Sequence, residues 1–281
     1  MIIIADSGST KTDWWIGSST TNYKSVQTVG INPFYQDEKE IAETLNLLSL
    51  NDNEIKSITH IYFYGAGCTN EKGIIVKKTL EEAFPECTNI NVESDLMAAA
   101  HALCGKNHGI AAILGTGSNS CQYDGINIIH NVSPLGFILG DEGSGATLGK
   151  LFVADGLKNI LSNNLFNEFL NEYKLSAPQI MDKIYRRPFP NRFLASFTPY
   201  MYKHRNDPHI HQLLVNSFRS FFERNIKQYD YKSYKTDFIG SIAYFFMEEI
   251  TEAAHKEGVE VGIFLKSPLK ELVKYHLNSL S

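Results

Sequence analysis

The sequence lacks the two phosphate loops by which nucleotide-binding chains are most often recognised. The nearest approach to GxxxxGK[ST] is Gly149-Lys150, which has Ser144 where the first glycine would stand and Leu151 after the lysine. No GxGxxG opens a helix, because the glycine-containing stretch nearest the start of the chain continues into a β-rich run. P-loop and Rossmann readings are therefore set aside. Cysteine is sparse: Cys68, Cys87, Cys104 and Cys121 stand apart with no CxxC pair, so a zinc site or disulfide framework has no support and reduced core thiols are expected. Positive charge is in deficit. A net charge of −5 and a pI near 6.0 argue against nucleic acid or an anionic membrane as main partner, since both favour a basic surface. No hydrophobic run approaches the ~20 residues of a membrane span, and residues 1–3 lead straight into a strand without a signal-peptide pattern. The expected location is the cytoplasm and the expected partner a small molecule.

What is present begins at residue 6. Asp6-Ser7-Gly8-Ser9-Thr10-Lys11-Thr12-Asp13 lies between the apolar runs 2–5 and 14–16. Small side chains leave backbone N–H groups free to face phosphate oxygens. Ser9, Thr10 and Lys11 can add donors, and Asp6 can hold a phosphate-bound magnesium ion through water. A second loop repeats the plan: strand-like residues 110–114, then Gly115-Thr116-Gly117-Ser118-Asn119-Ser120, then 121–123. Either loop alone is an ordinary Gly/Ser turn as readily as a phosphate site. Together they suggest a duplicated architecture in which each half offers one loop to the same nucleotide.

The rest reads as mixed α/β. Residues 37–48 carry Ile41, Leu45 and Leu48 at helical spacing behind an Asp37/Glu40 capping box. Residues 58–64 and 90–92 read as strands, 71–84 as a helix, and Asp124-Gly125 as a two-residue hairpin turn. From 146 to 227 short helices are expected, interrupted by Pro178, Pro188, Pro190, Pro199 and Pro208, with Phe218, Phe221 and Phe222 on a core-facing side. Tyr229, Tyr231 and Tyr234 read as a surface connection. His209-Ile210-His211, with His204 nearby, reads as a polar loop rather than a metal site. At 281 residues, 43% hydrophobic, the chain fits two domains better than one core.

Five ordered motifs carry a family resemblance: the first loop, Glu93-Ser94-Asp95-Leu96-Met97-Ala98-Ala99-Ala100, the 115–119 loop, the 135–145 stretch LGFILGDEGSG, and Phe238-Ile239-Gly240-Ser241-Ile242-Ala243. The chain resembles the sugar-kinase, heat-shock ATPase and actin superfamily, and within it the N-acetylglucosamine kinase and BadF/BadG/BcrA/BcrD-type ATPase group. The resemblance implies an α/β fold of two ribonuclease H-like (actin-like ATPase) domains with mixed sheets around an interdomain cleft. It divides the chain into 1–106, with a C-terminal helix at about 267–281 packing back on it, and 107–266 with a helical insertion. A homodimer is the family expectation. The iron–sulfur cluster of the dehydratase activators and the Cys-rich zinc motif of the repressor relatives have no counterpart here.

By that resemblance Asp95 is the catalytic base, taking the proton of a sugar hydroxyl. An aspartate there is equally suited to a plain helix N-cap. Asn32, Asn119 and Asp141 match sugar contacts, although Asn32 before Pro33 is also a common turn residue. Gly115, Thr116, Gly117 and Ser118 bind phosphates alongside Ser9, Thr10 and Lys11, the last of which also reads as a solvated loop lysine. Gly240 and Ser241 match the adenosine motif, with a tight strand-to-helix turn as the other reading. The 258–262 stretch is a weaker second glycine motif, and Asp13 is assigned to bracing its loop through backbone hydrogen bonds. Relatives often carry Gly-Trp-Gly where this chain has Pro134-Leu135-Gly136. The expected activity is an ATP- and magnesium-dependent kinase acting on the 6-hydroxyl of an amino sugar, N-acetylglucosamine first. Two alternatives stay open: an ATPase driving conformational change in a partner protein, and a non-catalytic sugar or nucleotide sensor.

Overall fold

The computed structural model describes residues 1–8, 10–69 and 71–280. Its contacts divide the chain into two units, Met1–Lys106 with Ser267–Ser281, and Asn107–Lys266.

In the first unit β1 (Ile2–Ser7), β2 (Lys11–Ser19) and β3 (Asn22–Val29) form an antiparallel meander. β4 (His60–Gly65) and β5 (Asn89–Ser94) extend it in parallel, giving the order β3-β2-β1-β4-β5. β1 takes the central place because Ile2, Ile3, Ile4 and Ala5 are all buried, the unbroken apolar run of a strand covered on both faces. Helices α1 (Glu38–Asn46), α2 (Asp52–Ser57), α3 (Gly73–Ala83) and α4 (Asp95–Cys104) complete the layer. α1 begins with the capping box read from the sequence, Asp37 accepting from the Glu40 N–H and Glu40 from the Asp37 N–H. A C-terminal helix, Leu269–Leu280, packs on α4, β1 and β2. His276 on that helix stacks on Tyr62 at 3.6 Å, and its Nε2 lies 2.8 Å from the Tyr64 hydroxyl, which lies 2.8 Å from His101 Nδ1. Burial lowers His101 to about 4 and His276 to about 3, so both rings are neutral near pH 7.

The second unit repeats the plan. β6 (His108–Leu114), β7 (Ser118–Asp124) and β8 (Ile128–His130) form the meander, and β9 (Thr236–Ile239) and β10 (Val261–Leu265) add in parallel, in the order β10-β9-β6-β7-β8. The hairpin turn is shifted by one residue from the sequence expectation. Asp124 ends its strand and its carboxylate accepts from the Ile126 and Asn127 N–H groups, leaving Gly125-Ile126 at the tip. Between β8 and β9 come α5 (Gly136–Leu139), α6 (Gly145–Leu157), α7 (Asn163–Glu172), α8 (Ala177–Tyr185), α9 (Pro190–Ala195), α10 (Thr198–Lys203) and α11 (Pro208–Arg224); α12 (Ser241–Phe245) and α13 (Met247–Glu257) lie between β9 and β10. Pro178, Pro190, Pro199 and Pro208 sit in helical first turns, so they begin helices rather than interrupt them. Phe218, Phe221 and Phe222 are fully inside the core. His209 and His211 lie in the first turn of α11, not in a loop, and pair with different carboxylates, Asp155 and Glu252. Tyr229 is also corrected: it is buried, with its hydroxyl donating to the Ser120 carbonyl and accepting from the Val132 N–H.

Two glycines of this unit with positive φ differ in what a side chain would meet. Gly240 has φ +117°, and a Cβ there would lie 2.3 Å from the Leu114 carbonyl oxygen; Gly258 has φ +66° with nothing within 4 Å. Gly258→Ala should therefore lose only the backbone term of about 1–2 kcal/mol. Gly240→Ala should lose about 3 kcal/mol or more from strain and overlap together. Denaturant unfolding of the two variants checks the ranking, and equal losses would contradict it.

Candidate functional site

Three parallel strands end in line in the first unit. Ser7 pairs with Gly65, and Gly65 with Ser94. Neighbouring strands are ~4.8 Å apart, so Asp6 and Asp95 are brought to one edge of the sheet, at the carboxyl ends where ligands of open α/β sheets bind. The helix cap that Asp95 was equally suited to provide is supplied by its neighbour: the Ser94 hydroxyl accepts from the Met97 N–H at 3.1 Å, and Asp95 is the first residue of α4. Burial raises the Asp95 pKa, and hydrogen bonds from the Leu96 and Asp95 N–H groups oppose the rise. The result is a desolvated carboxylate at a helix N-terminus, steadied by the first N–H groups of α4 while Ser94 takes the Met97 N–H.

Asp6 is perturbed further. Burial first, then the like charges of Asp13 and Asp95, raise it to about 7, with Lys11 pulling the other way. Lys11 itself is exposed and paired to Asp13 at 2.7 Å. Among the described residues Asp13 is braced by side chains, Lys11 at 2.7 Å and the Gln27 amide at 2.6 Å. Of the loop hydroxyls, Ser7 and Thr12 are fully buried and 2.7 Å apart. Ser7 Oγ donates to the Ile31 carbonyl and accepts from the Ile31 N–H, both at 2.9 Å. They are structural, tying the 30–36 turn to the end of β1. The sequence reading missed that role, and the adjacent apolar runs that bury the pair were the available signal. Thr10 is exposed, its carbonyl accepting from the Gly30 N–H. Ser9 lies outside the described residues. Among the described residues no three His, Cys, Asp or Glu side chains gather to hold a metal. An ion carried on phosphates and held through water needs only one or two carboxylates, and the crowded negative charge around Asp6 fits that mode.

Asn32 sits in a turn whose other groups are fixed: its N–H donates to Gln36 Oε1 at 2.7 Å, and its side-chain oxygen accepts from the Phe34 N–H at 3.0 Å. Beside the turn a cavity of about 620 Å³ is lined by Phe34, Cys68, Thr69, Glu71, Glu93 and Ser94. Phe34, Cys68 and Glu93 were not anticipated as lining residues. Burial raises Glu93, and raises the Cys68 thiol to about 12, so Cys68 is not a nucleophile near neutral pH.

In the second unit the 115–118 loop is built onto the start of α6. The Gly145 N–H donates to the Gly115 carbonyl at 2.8 Å and the Ala146 N–H to the Thr116 carbonyl at 3.0 Å, while Ser144 caps the helix. Asp141 has φ +52°, and its carboxylate accepts from the Ser118 N–H at 3.4 Å. Burial raises it to about 6. Gly117 allows this approach, since a Cβ there would lie 3.1 Å from Asp141 Oδ2. Asn119 is engaged differently, its side-chain oxygen accepting from the Ser120 N–H and from Asn131 Nδ2, both at 2.9 Å. Gly240 and Ser241 close β9 onto α12. Ser241 lines an apolar cavity of about 280 Å³ with Thr198, Pro199, Tyr202, Ile242, Phe245 and Phe246. The 258–262 stretch is structural: Gly258 ends α13 in the left-handed region, and Gly262 makes room for the Asp237 carboxylate.

The Asp6 shift gives a signed prediction. Its ordinary value is 3.8 and its folded value about 7, so between those limits the folded state holds the extra proton and stability falls as pH rises. The full penalty is present above pH 7. Asp6→Asn should therefore gain melting temperature relative to the parent at pH 8 and show little difference below pH 4. A difference that does not grow with pH would remove the assignment.

Two comparisons, with family models and with curated proteins, find no match. Among solved structures, the chain is 46% identical over the whole of both chains, with TM-score 0.96, to the "Putative N-acetylglucosamine Kinase" PG1100 of Porphyromonas gingivalis. A protein of the same description from Chromobacterium violaceum superposes with TM-score 0.74 at 15% identity, 98% of each chain being covered. A ROK family glucokinase from Streptomyces griseus, in complex with glucose and AMPPNP, superposes with TM-score 0.61 at 14% identity, covering 100% of this chain and 98% of that one. The last two show likeness of fold alone, a fold that in this chain is two mixed five-stranded sheets of the actin-like ATPase kind. Full-length identity at the level of the Porphyromonas protein goes beyond fold, and the chain belongs to the N-acetylglucosamine kinase family.

Proposed function

We propose that the protein is an ATP- and magnesium-dependent sugar kinase that transfers phosphate to the 6-hydroxyl of an amino sugar, N-acetylglucosamine first. The observation that carries the reading is Asp95: a carboxylate with raised pKa at the end of the aligned parallel strands, next to Ser94, which takes the Met97 N–H of the helix cap. A general base must be ionised yet basic enough to accept a hydroxyl proton. Burial supplies the second property, and the N–H groups at the start of α4 preserve the first. Asp95 takes the proton as the sugar oxygen attacks the γ-phosphate. In the first unit Asn32 and the cavity walled by Phe34, Cys68 and Ser94 hold the sugar; Asp141 and Asn119 are the polar groups of the second unit assigned to sugar.

Backbone N–H groups of the 115–118 loop are the second unit's phosphate donors, Ser9, Thr10 and Lys11 are the first unit's, and Lys11 offsets developing negative charge. The apolar cavity beside Ser241 suits a purine ring, with Tyr202 and Phe245 as its aromatic walls. Asp6 would hold magnesium through water, and the bound ion would supply neutralisation of phosphate oxygens. No helix among the described residues is long and apolar enough to cross a membrane. A cytoplasmic homodimer completes the proposal, and light scattering at two concentrations tests its assembly.

ADP release measured with magnesium-ATP against amino sugars and plain hexoses tests the activity, and phosphorus–proton coupling in the product locates the phosphate. Asp95→Asn should fold, bind nucleotide and lose about 10²–10⁴ in kcat. Turnover that survives the substitution would remove Asp95 as base, and turnover without any sugar would favour the partner-driving ATPase.

A further inference from the structure

Asn32 has four hydrogen-bonding groups, and the turn it sits in uses three. Its N–H donates to Gln36 Oε1 at 2.7 Å. Its carbonyl accepts from the Tyr35 and Gln36 N–H groups at 3.0 and 3.2 Å. Its side-chain oxygen accepts from the Phe34 N–H at 3.0 Å. The identity of that last atom follows from its partner: a backbone N–H can only donate, so the atom facing it must be the amide oxygen and not the nitrogen. The side-chain NH₂ has no partner among the described residues.

The oxygen is also closed in from the other side. Gly67, with φ +80°, lies against it so closely that a Cβ on residue 67 would stand 2.4 Å from Asn32 Oδ1 and 2.7 Å from Phe34 Cδ2. No real side chain tolerates those distances. The backbone there is also held: the Cys68 N–H donates to the Gly65 carbonyl and the Thr69 N–H to the Gly67 carbonyl. Ile31, immediately before Asn32, is held at both its N–H and its carbonyl by Ser7. The amide therefore has one orientation, with its oxygen packed on Gly67 and its NH₂ as the remaining group.

We infer that Asn32 is a one-way reader of the acceptor sugar, donating to a sugar oxygen and not accepting from a hydroxyl, and that Gly67 is a positioning residue that fixes this polarity by leaving room for the amide oxygen. The inference rests on the sugar-binding reading of Asn32 and adds to it the direction of the hydrogen bond and the residue that sets it. Phe34, two residues after Asn32 in the turn, and Cys68, next to Gly67, both wall the 620 Å³ cavity, which places the Asn32 turn beside it. A donor fixed at this edge penalises a ligand group that must also donate there, which is how an unmade hydrogen bond becomes discrimination.

The test is binding of N-acetylglucosamine by calorimetry to the full chain and to Asn32→Ala, Asn32→Asp, Gly67→Ala and the Asn32→Ala/Gly67→Ala pair, with an ATP analogue measured alongside. Asn32→Asp keeps the oxygen that Phe34 requires and exchanges the donor for an acceptor. It should retain its melting temperature and nucleotide affinity, and weaken sugar binding about tenfold or more. Gly67→Ala should weaken sugar binding in the parent but add nothing in the Asn32→Ala background, a non-additivity that general damage to the fold would not give. If Gly67→Ala fails to fold, Asn32→Asp decides alone. Weakening by Asn32→Ala with unchanged binding by Asn32→Asp would overturn the inference and leave the sugar contact standing. Unchanged binding by Asn32→Ala, or no binding of the sugar to the parent, would remove the sugar contact and the inference with it.

Discussion

The in-register parallel pairing of β1 with β4 and of β4 with β5 is the constraint on which the first unit depends. Parallel strands are not joined by a tight turn, so each must be reached by a crossover, and here the crossovers carry α1 to α3. The arrangement sets residues far apart in sequence, Asp6, Gly65 and Asp95, at successive strand ends. A slip of one residue in either pairing would turn every side chain of a strand to the opposite face. The buried runs of β1 and β4 make such a slip costly, and the carboxylates are positioned as a by-product of core packing.

Onto that edge a small polar device fixes the next layer. Ser7 and Thr12 are buried hydroxyls in an apolar setting, a situation that is stable only when their hydrogen bonds are made. Ile31 supplies both a donor and an acceptor to Ser7. The 30–36 turn is thereby attached to the β1–β2 hairpin, and both ends of the candidate site in this unit share one anchor.

Much of this was legible in the sequence because it rests on local rules. The capping box at Asp37 and Glu40, the apolar strand 110–114 and the core-facing phenylalanines 218, 221 and 222 are periodicity and cap chemistry read directly. The misreadings share a different cause. Tyr229 looked like a surface residue because its neighbours are charged, but its hydroxyl is taken up by Ser120 and Val132, more than ninety residues away in the chain. The prolines of the helical region looked like interruptions until their first-turn positions were known. Asp95 could not be told from a cap by composition, since the choice between Ser94 and Asp95 turns on where one helix begins. The walls of the cavities, Cys68 or Tyr202 for example, carry no local signature, because a cavity is a property of several elements packed together.

The first unit is not continuous in the chain. Its last helix, Leu269–Leu280, arrives only after the whole of the second unit has been made. A nascent chain on the ribosome therefore holds the second unit's sequence complete while the first still exposes the faces of β1, β2 and α4 that this helix covers. Until His276 reaches Tyr62 and Tyr64, the unit that bears Asp95 is unfinished. Synthesis order thus places the completion of the candidate base's own scaffold last, and a chain that stalls short of its final turns would carry both loops yet present an open, aggregation-exposed face.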